Sequence, residues 1–80
     1  IPKPNPAMAI KAMNDLGVSK ERCVMIGDTI NDIGLGANAE IISIGVTWGY
    51  NSKELLSSAG ASYLVNDSIE LSKLMKIICP

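Results

Sequence analysis

The nine residues Val24–Asp32, VMIGDTIND, decide how the rest of the chain is read. An apolar run, Cys23–Ile26, ends at Gly27 and is followed at once by Asp28, Thr29 and Asp32. Apolar residues without alternation suit a parallel strand covered on both faces. Thr29 with an acid three residues on resembles a helix capping box, although Glu or Gln is the usual partner there. The stretch reads as strand, turn, helix, with carboxylates gathered where the strand ends. Such acids either cap the helix or hold a cation.

The same alternation extends outward. KPNP at Lys3–Pro6 is an extended entry into a helix. Asn5 can cap it, and Pro6 suits the first helical position, where its missing N–H is not needed. Ala9, Ala12, Met13 and Leu16 recur at helical spacing, and Gly17 is a suitable stop. Beyond the central stretch, a glycine-spotted helix is expected from Ile30 to about Ala39 and a second buried strand over Ile41–Val46. TWGYNS, Thr47–Ser52, is a loop whose Ser52 caps a helix through about Ser58. A third strand, Ser62–Val65, precedes a helix capped by Asp67 or Ser68 and running to about Ile77. Helix, then strand and helix three times over, implies an α/β fold: three parallel strands flanked by helices and joined by right-handed crossovers. In open sheets of this kind ligands bind beyond the carboxyl ends of the strands, which is where Gly27-Asp28-Thr29 falls.

Composition narrows the chemistry. The 80 residues carry a net charge of -1 and are 48% hydrophobic, enough for one small core. The Lys and Arg residues are scattered, so nothing favours a nucleic-acid partner, which needs a clustered basic face. No apolar run approaches the ~20 residues of a membrane span, and no secretory signal pattern is evident. Cys23 and Cys79 read as free thiols in a reducing cytosol rather than as a disulfide. There is no His, which excludes Ser-His and Cys-His pairs within the chain and argues against zinc. Carboxylates, lysines and hydroxyls are left to do any chemistry. The start at Ile1, without Met and inside a Pro-rich phrase, suggests part of something longer.

Among the acids, Asp32 needs no function, because an acid in a helix's first turn is stabilised by the helix dipole. Asp28 precedes the cap and is not explained in that way. With a second carboxylate one turn along, it can offer hard oxygen ligands to Mg2+, which usually takes one or two carboxylates together with water and substrate phosphate. Lys3, held before Pro4, is a point charge on a long stem that could neutralise a phosphate, or a solvated lysine in a frayed terminus.

KPNP before a helix, a strand ending in GDTIND, then GVTWGY and AGASYLVNDSIEL together resemble the C-terminal part of haloacid-dehalogenase-superfamily phosphatases, nearest the phosphoglycolate-phosphatase-like branch. The resemblance covers almost the whole chain. It implies a three-layer Rossmann-like core of which residues 1–80 are the C-terminal portion, lacking the nucleophile strand and the cap domain. It also implies a Mg2+-dependent phosphomonoester phosphatase working through an aspartyl-phosphate formed on a residue outside this chain. Lys3 would balance phosphoryl charge, Asp28 would ligate Mg2+, Asp32 would support the metal's water and the lysine, and Thr29 would contact substrate. The implied partners are a small phosphorylated metabolite and the missing N-terminal part of the same fold.

The departures are specific. Asp15, Asp28, Asp32 and Asp67 form no D-x-D, the family's nucleophile signature. Relatives often carry Arg where Ala37 sits and Gly where Glu40 sits, which questions the turn geometry there. The isolated chain should therefore be inactive, and the open edge of its first strand invites homodimerisation. Two rival readings stand beside this one. GLGANA, Gly34–Ala39, matches a dinucleotide fingerprint, but too far after the strand for the glycines to form the phosphate turn. A non-catalytic interaction module could use Trp48 and Tyr50 as a contact patch, although such residues more often pack a sheet's rim.

Overall fold

The computed structural model describes residues 5–79. Its elements are α1 (Ala7–Leu16), a 3-10 turn (Lys20–Arg22), β1 (Val24–Gly27), α2 (Ile30–Asn38), β2 (Ile42–Val46), α3 (Lys53–Ser58), β3 (Tyr63–Val65) and α4 (Ser68–Ile78). The strands form one parallel sheet in the order β1-β2-β3, with Ile26 opposite Ile44, Gly27 opposite Gly45 and Val46 opposite Val65.

Local chemistry sets the element ends. Asn5 Oδ1 accepts the Ala7 N–H at 2.9 Å, and Pro6 already has helical backbone angles. Gly17 ends α1 in the left-handed region, at φ 69°, as a residue without a Cβ can do freely. Ser52 caps α3 by accepting the Leu55 N–H. Asp67, rather than Ser68, caps α4 by accepting the Glu70 N–H at 2.7 Å, while the Glu70 carboxylate accepts the Asn66 N–H.

The central strand organises the layers. Ile44 and Val46 join Val65 in a buried cluster against which Leu71, Leu74, Met75 and Ile78 of α4 pack. On the opposite face, Ser43 and Gly45 meet α2 and α3. The Ser43 hydroxyl donates to the Ile33 carbonyl, and Gly45 lies beneath Leu56. Gly36 lets α2 approach closely, since a Cβ there would sit 2.2 Å from Ser43 Oγ. Gly34 and Gly36 thus lie inside a helix that begins at Ile30, not in a strand-to-helix turn. The dinucleotide reading fails on that placement.

One expectation of burial is not met. β1 is not covered on both faces: Ile26 is 42% exposed, and among the described residues β1 is an edge strand paired with β2 alone. In α1 no residue is buried, and Leu16 is 76% exposed. Ile10 and Met13 line a shallow groove with Asn38, Ala39 and Glu40 at the end of α2. Both cysteines are free, with Cys23 half-buried and Cys79 exposed.

The doubtful turn at Glu40 has a definite answer: Glu40 itself adopts the left-handed conformation, at φ 61°. Its carboxylate meets the Lys20 ammonium at 2.7 Å. The hydrogen bond from Lys20, and then its charge, hold the Glu40 carboxyl below its ordinary range; the same pairing raises Lys20. A residue with a Cβ is strained in this region and glycine is not. Glu40→Gly should therefore raise the melting temperature of the chain. A depressed carboxyl pKa means that the pair's stabilisation is present above the usual glutamate value and is lost as pH falls through the lowered one. The gain from Glu40→Gly should accordingly be larger at pH 3 than at pH 7, which thermal melts at the two pH values would check.

Candidate active site

The carboxyl end of β1 brings the two acids and their neighbours together. Gly27 is buried as the last strand residue, Asp28 and Thr29 form the turn, and α2 starts at Ile30. Thr29 caps α2: its Oγ1 accepts the Asp32 N–H at 3.1 Å and its carbonyl accepts the Ile33 N–H. The cap uses Thr29 Oγ1 as an acceptor and leaves its O–H as a donor.

Asp32 lies in the first turn of α2 and folds back over the strand end. A Cβ on Gly27 would lie 2.4 Å from Asp32 Cβ and 2.8 Å from its Oδ2, so glycine there makes room for this side chain. Asp28 turns the other way, toward the loop between β2 and α3. Its Oδ2 accepts the Tyr50 N–H at 2.9 Å, and its carbonyl accepts the Asn51 N–H at 2.9 Å. Asn51 Oδ1 in turn accepts the Ile30 N–H at 2.9 Å, satisfying a donor that would otherwise be orphaned at the start of α2.

Of the residues singled out in the sequence, Asp28, Thr29 and Asp32 converge on one strand end. Lys3 lies outside the described residues. Trp48 is 53% exposed and lines a shallow pocket with Asn66, Asp67 and Ser68 beyond the end of β3, whereas Tyr50 is 83% exposed and meets Asp28 through its backbone N–H. Sequence reasoning missed Gly49 and Asn51. Their spacing carries no signal until β1 and β2 lie side by side.

The residues present fit a hard divalent cation. The donors are carboxylate oxygens without thiolate or imidazole, and glycines at 27 and 49 make the space in which those carboxylates lie. Among the described residues no group of three His, Cys, Asp or Glu is placed to hold a metal, so a cation here would need further ligands from substrate, water or elsewhere. No helix among the described residues is long and apolar enough to cross a membrane.

The parallel sheet with its flanking helices has counterparts in known proteins. The HAD-hydrolase-like family matches residues 1–71. The chain belongs to this family. Over 69 residues it is 44% identical to a phosphoglycolate phosphatase of Colwellia psychrerythraea, covering 86% of this chain and 30% of that protein. It is 33% identical over 76 residues to the pyrophosphatase PpaX of Listeria welshimeri, covering 95% of this chain and 34% of the relative. A crystal structure of a HAD family hydrolase from Deinococcus radiodurans, with bound phosphate and sodium, superposes with a TM-score of 0.79 at 29% identity, covering 92% of this chain and 34% of that one. This chain therefore spans about a third of the length of the HAD proteins it matches. Its fold is the Rossmann-like fold of those proteins, and its relatives are phosphatases.

Proposed function

We propose that the chain forms the cation- and phosphate-facing part of a Mg2+-dependent phosphomonoester phosphatase of the HAD class. The nucleophilic aspartate, the cap domain and one metal ligand lie in sequence outside these residues. The observation that carries this reading is the placement of Asp28 and Asp32 at the end of one strand, Asp32 packed over Gly27 and Asp28 against Gly49. When bound, Mg2+ supplies positive charge against the phosphoryl oxygens and a fixed coordination geometry. Asp28 would ligate it directly through Oδ1, since Oδ2 is engaged by the Tyr50 N–H. Asp32, held over Gly27, would orient a metal-bound water and the Lys3 ammonium. Lys3 would offset phosphoryl charge, and the Thr29 O–H would donate to a phosphate oxygen. The substrate would be a small phosphate ester or phosphoanhydride; the Colwellia relative supports phosphoglycolate and the Listeria relative supports pyrophosphate.

A competing reading, a non-catalytic interaction module, draws on the exposed Trp48 and Tyr50. Mixing separately produced residues 1–80 with the remaining two-thirds of the fold decides between them. We expect no phosphate release from either part and Mg2+-dependent release from the mixture. The apolar edge at Val24–Gly27 should also make the isolated chain self-associate, and mixing should return it to a 1:1 complex in sedimentation. A refolded 1:1 complex that hydrolyses no phosphate ester would favour the interaction module.

A further inference from the structure

We infer that Gly49-Tyr50-Asn51 is a positioning clamp for the Asp28 carboxylate, an inference that rests on reading Asp28 as the Mg2+ ligand. The loop grips the β1–α2 turn at separate points. The Tyr50 N–H holds Oδ2, the Asn51 N–H holds the Asp28 carbonyl, and Asn51 Oδ1 holds the Ile30 N–H two residues on. Asn51 thus brackets the turn with both its main chain and its side chain.

Gly49 completes the clamp. A Cβ at this position would lie 2.2 Å from both Asp28 Cβ and Oδ2, and 2.6 Å from Cγ. Gly49 is not among the residues with positive φ, so its backbone does not demand glycine; the carboxylate does. With Oδ2 tied to an N–H and the side chain packed against Gly49, rotation about the Cβ–Cγ bond is restrained. Oδ1 keeps its lone pairs for a cation and accepts no hydrogen bond among the described residues. A ligand held in this way gives up less conformational freedom when the cation binds, and outer hydrogen bonds of this kind typically alter metal affinity by about 10–100-fold. The aromatic rings on either side of Gly49 take no part in the grip.

The test uses the protein that carries this chain together with the rest of the fold. Gly49→Ala, Asn51→Ala, Asn51→Asp and Asp28→Asn are compared by the Mg2+ half-saturation of phosphate release, by KM, and by the rise in Tm on adding Mg2+ without substrate. Gly49→Ala and Asn51→Ala should raise the Mg2+ half-saturation by roughly tenfold or more and reduce the Mg2+-induced Tm rise. KM at saturating Mg2+ should move less than the Mg2+ dependence. Asn51→Asp, which keeps the acceptor for the Ile30 N–H, should restore most of what Asn51→Ala loses. If Gly49→Ala fails to fold, Asn51→Ala carries the test by the same criteria. Folded Gly49→Ala and Asn51→Ala with wild-type Mg2+ dependence, beside a sensitive Asp28→Asn, would overturn the clamp alone. An Asp28→Asn variant with unaltered Mg2+ dependence would overturn both the clamp and the ligand assignment.

Discussion

On the proposed reading of Asp28 as a Mg2+ ligand, Asp28→Asn in the protein that carries this chain is expected to lower Mg2+-dependent phosphate release by at least about 10²–10³-fold, the usual scale for losing one preorganised charge-stabilising group. The substitution is nearly isosteric. An amide oxygen can still accept the Tyr50 N–H, and the Asn51 N–H still finds the backbone carbonyl at residue 28. Folding should therefore survive, and the melting temperature without Mg2+ should stay close to that of the wild type. What changes is charge. Two carboxylates at one strand end become one, and a hard cation would lose an anionic ligand for which a neutral amide is a poor replacement. Added Mg2+ should then no longer raise the melting temperature. Steady-state phosphate release over a Mg2+ titration, paired with thermal melts, reads both effects. An undiminished rate would remove Asp28 from the metal role.

The second large effect concerns the core. Ile44 is fully buried in the central strand and belongs to the cluster packed beneath α4. Ile44→Ala should cost about 2–5 kcal/mol, through lost transfer energy and the cavity left behind. A domain of this size has a total stability of roughly 4–12 kcal/mol, so the substitution removes a large fraction of it. The melting temperature should fall by about 10 °C or more. Ile26→Ala is the informative contrast. Ile26 is 42% exposed at the sheet edge, so its truncation in the isolated chain should cost well under the Ile44 value. In the full-length protein the same truncation should cost more if another strand covers that edge. Denaturant titration of the wild type and of each variant, in the isolated chain and in the full-length protein, would measure the differences.

Much of the fold was legible from local patterns. Thr29, Ser52 and Asp67 each stand where a side-chain oxygen is needed, and each accepts the N–H three residues on. Gly17 and the apolar runs marked the remaining ends to within a residue or two. These signals are readable because caps, periodicity and turn residues act over three or four positions along the chain. The burial of β1 is not legible in this way. An apolar run reports what a strand would prefer to touch, and Ile26 and Leu16 remain exposed because no described element lies where they point.

The candidate site divides in the same way. Sequence by itself determined that two acids flank the start of α2 one helical turn apart, because that spacing is a property of nine consecutive residues. Tertiary structure alone decided how Asp28 is aimed. Gly49, Tyr50 and Asn51 lie more than twenty positions away and reach it because parallel pairing of β1 with β2 sets the ends of both strands side by side. A backbone N–H and a missing Cβ carry no side-chain signature of their own. Their role exists only once the strand that delivers them is in register.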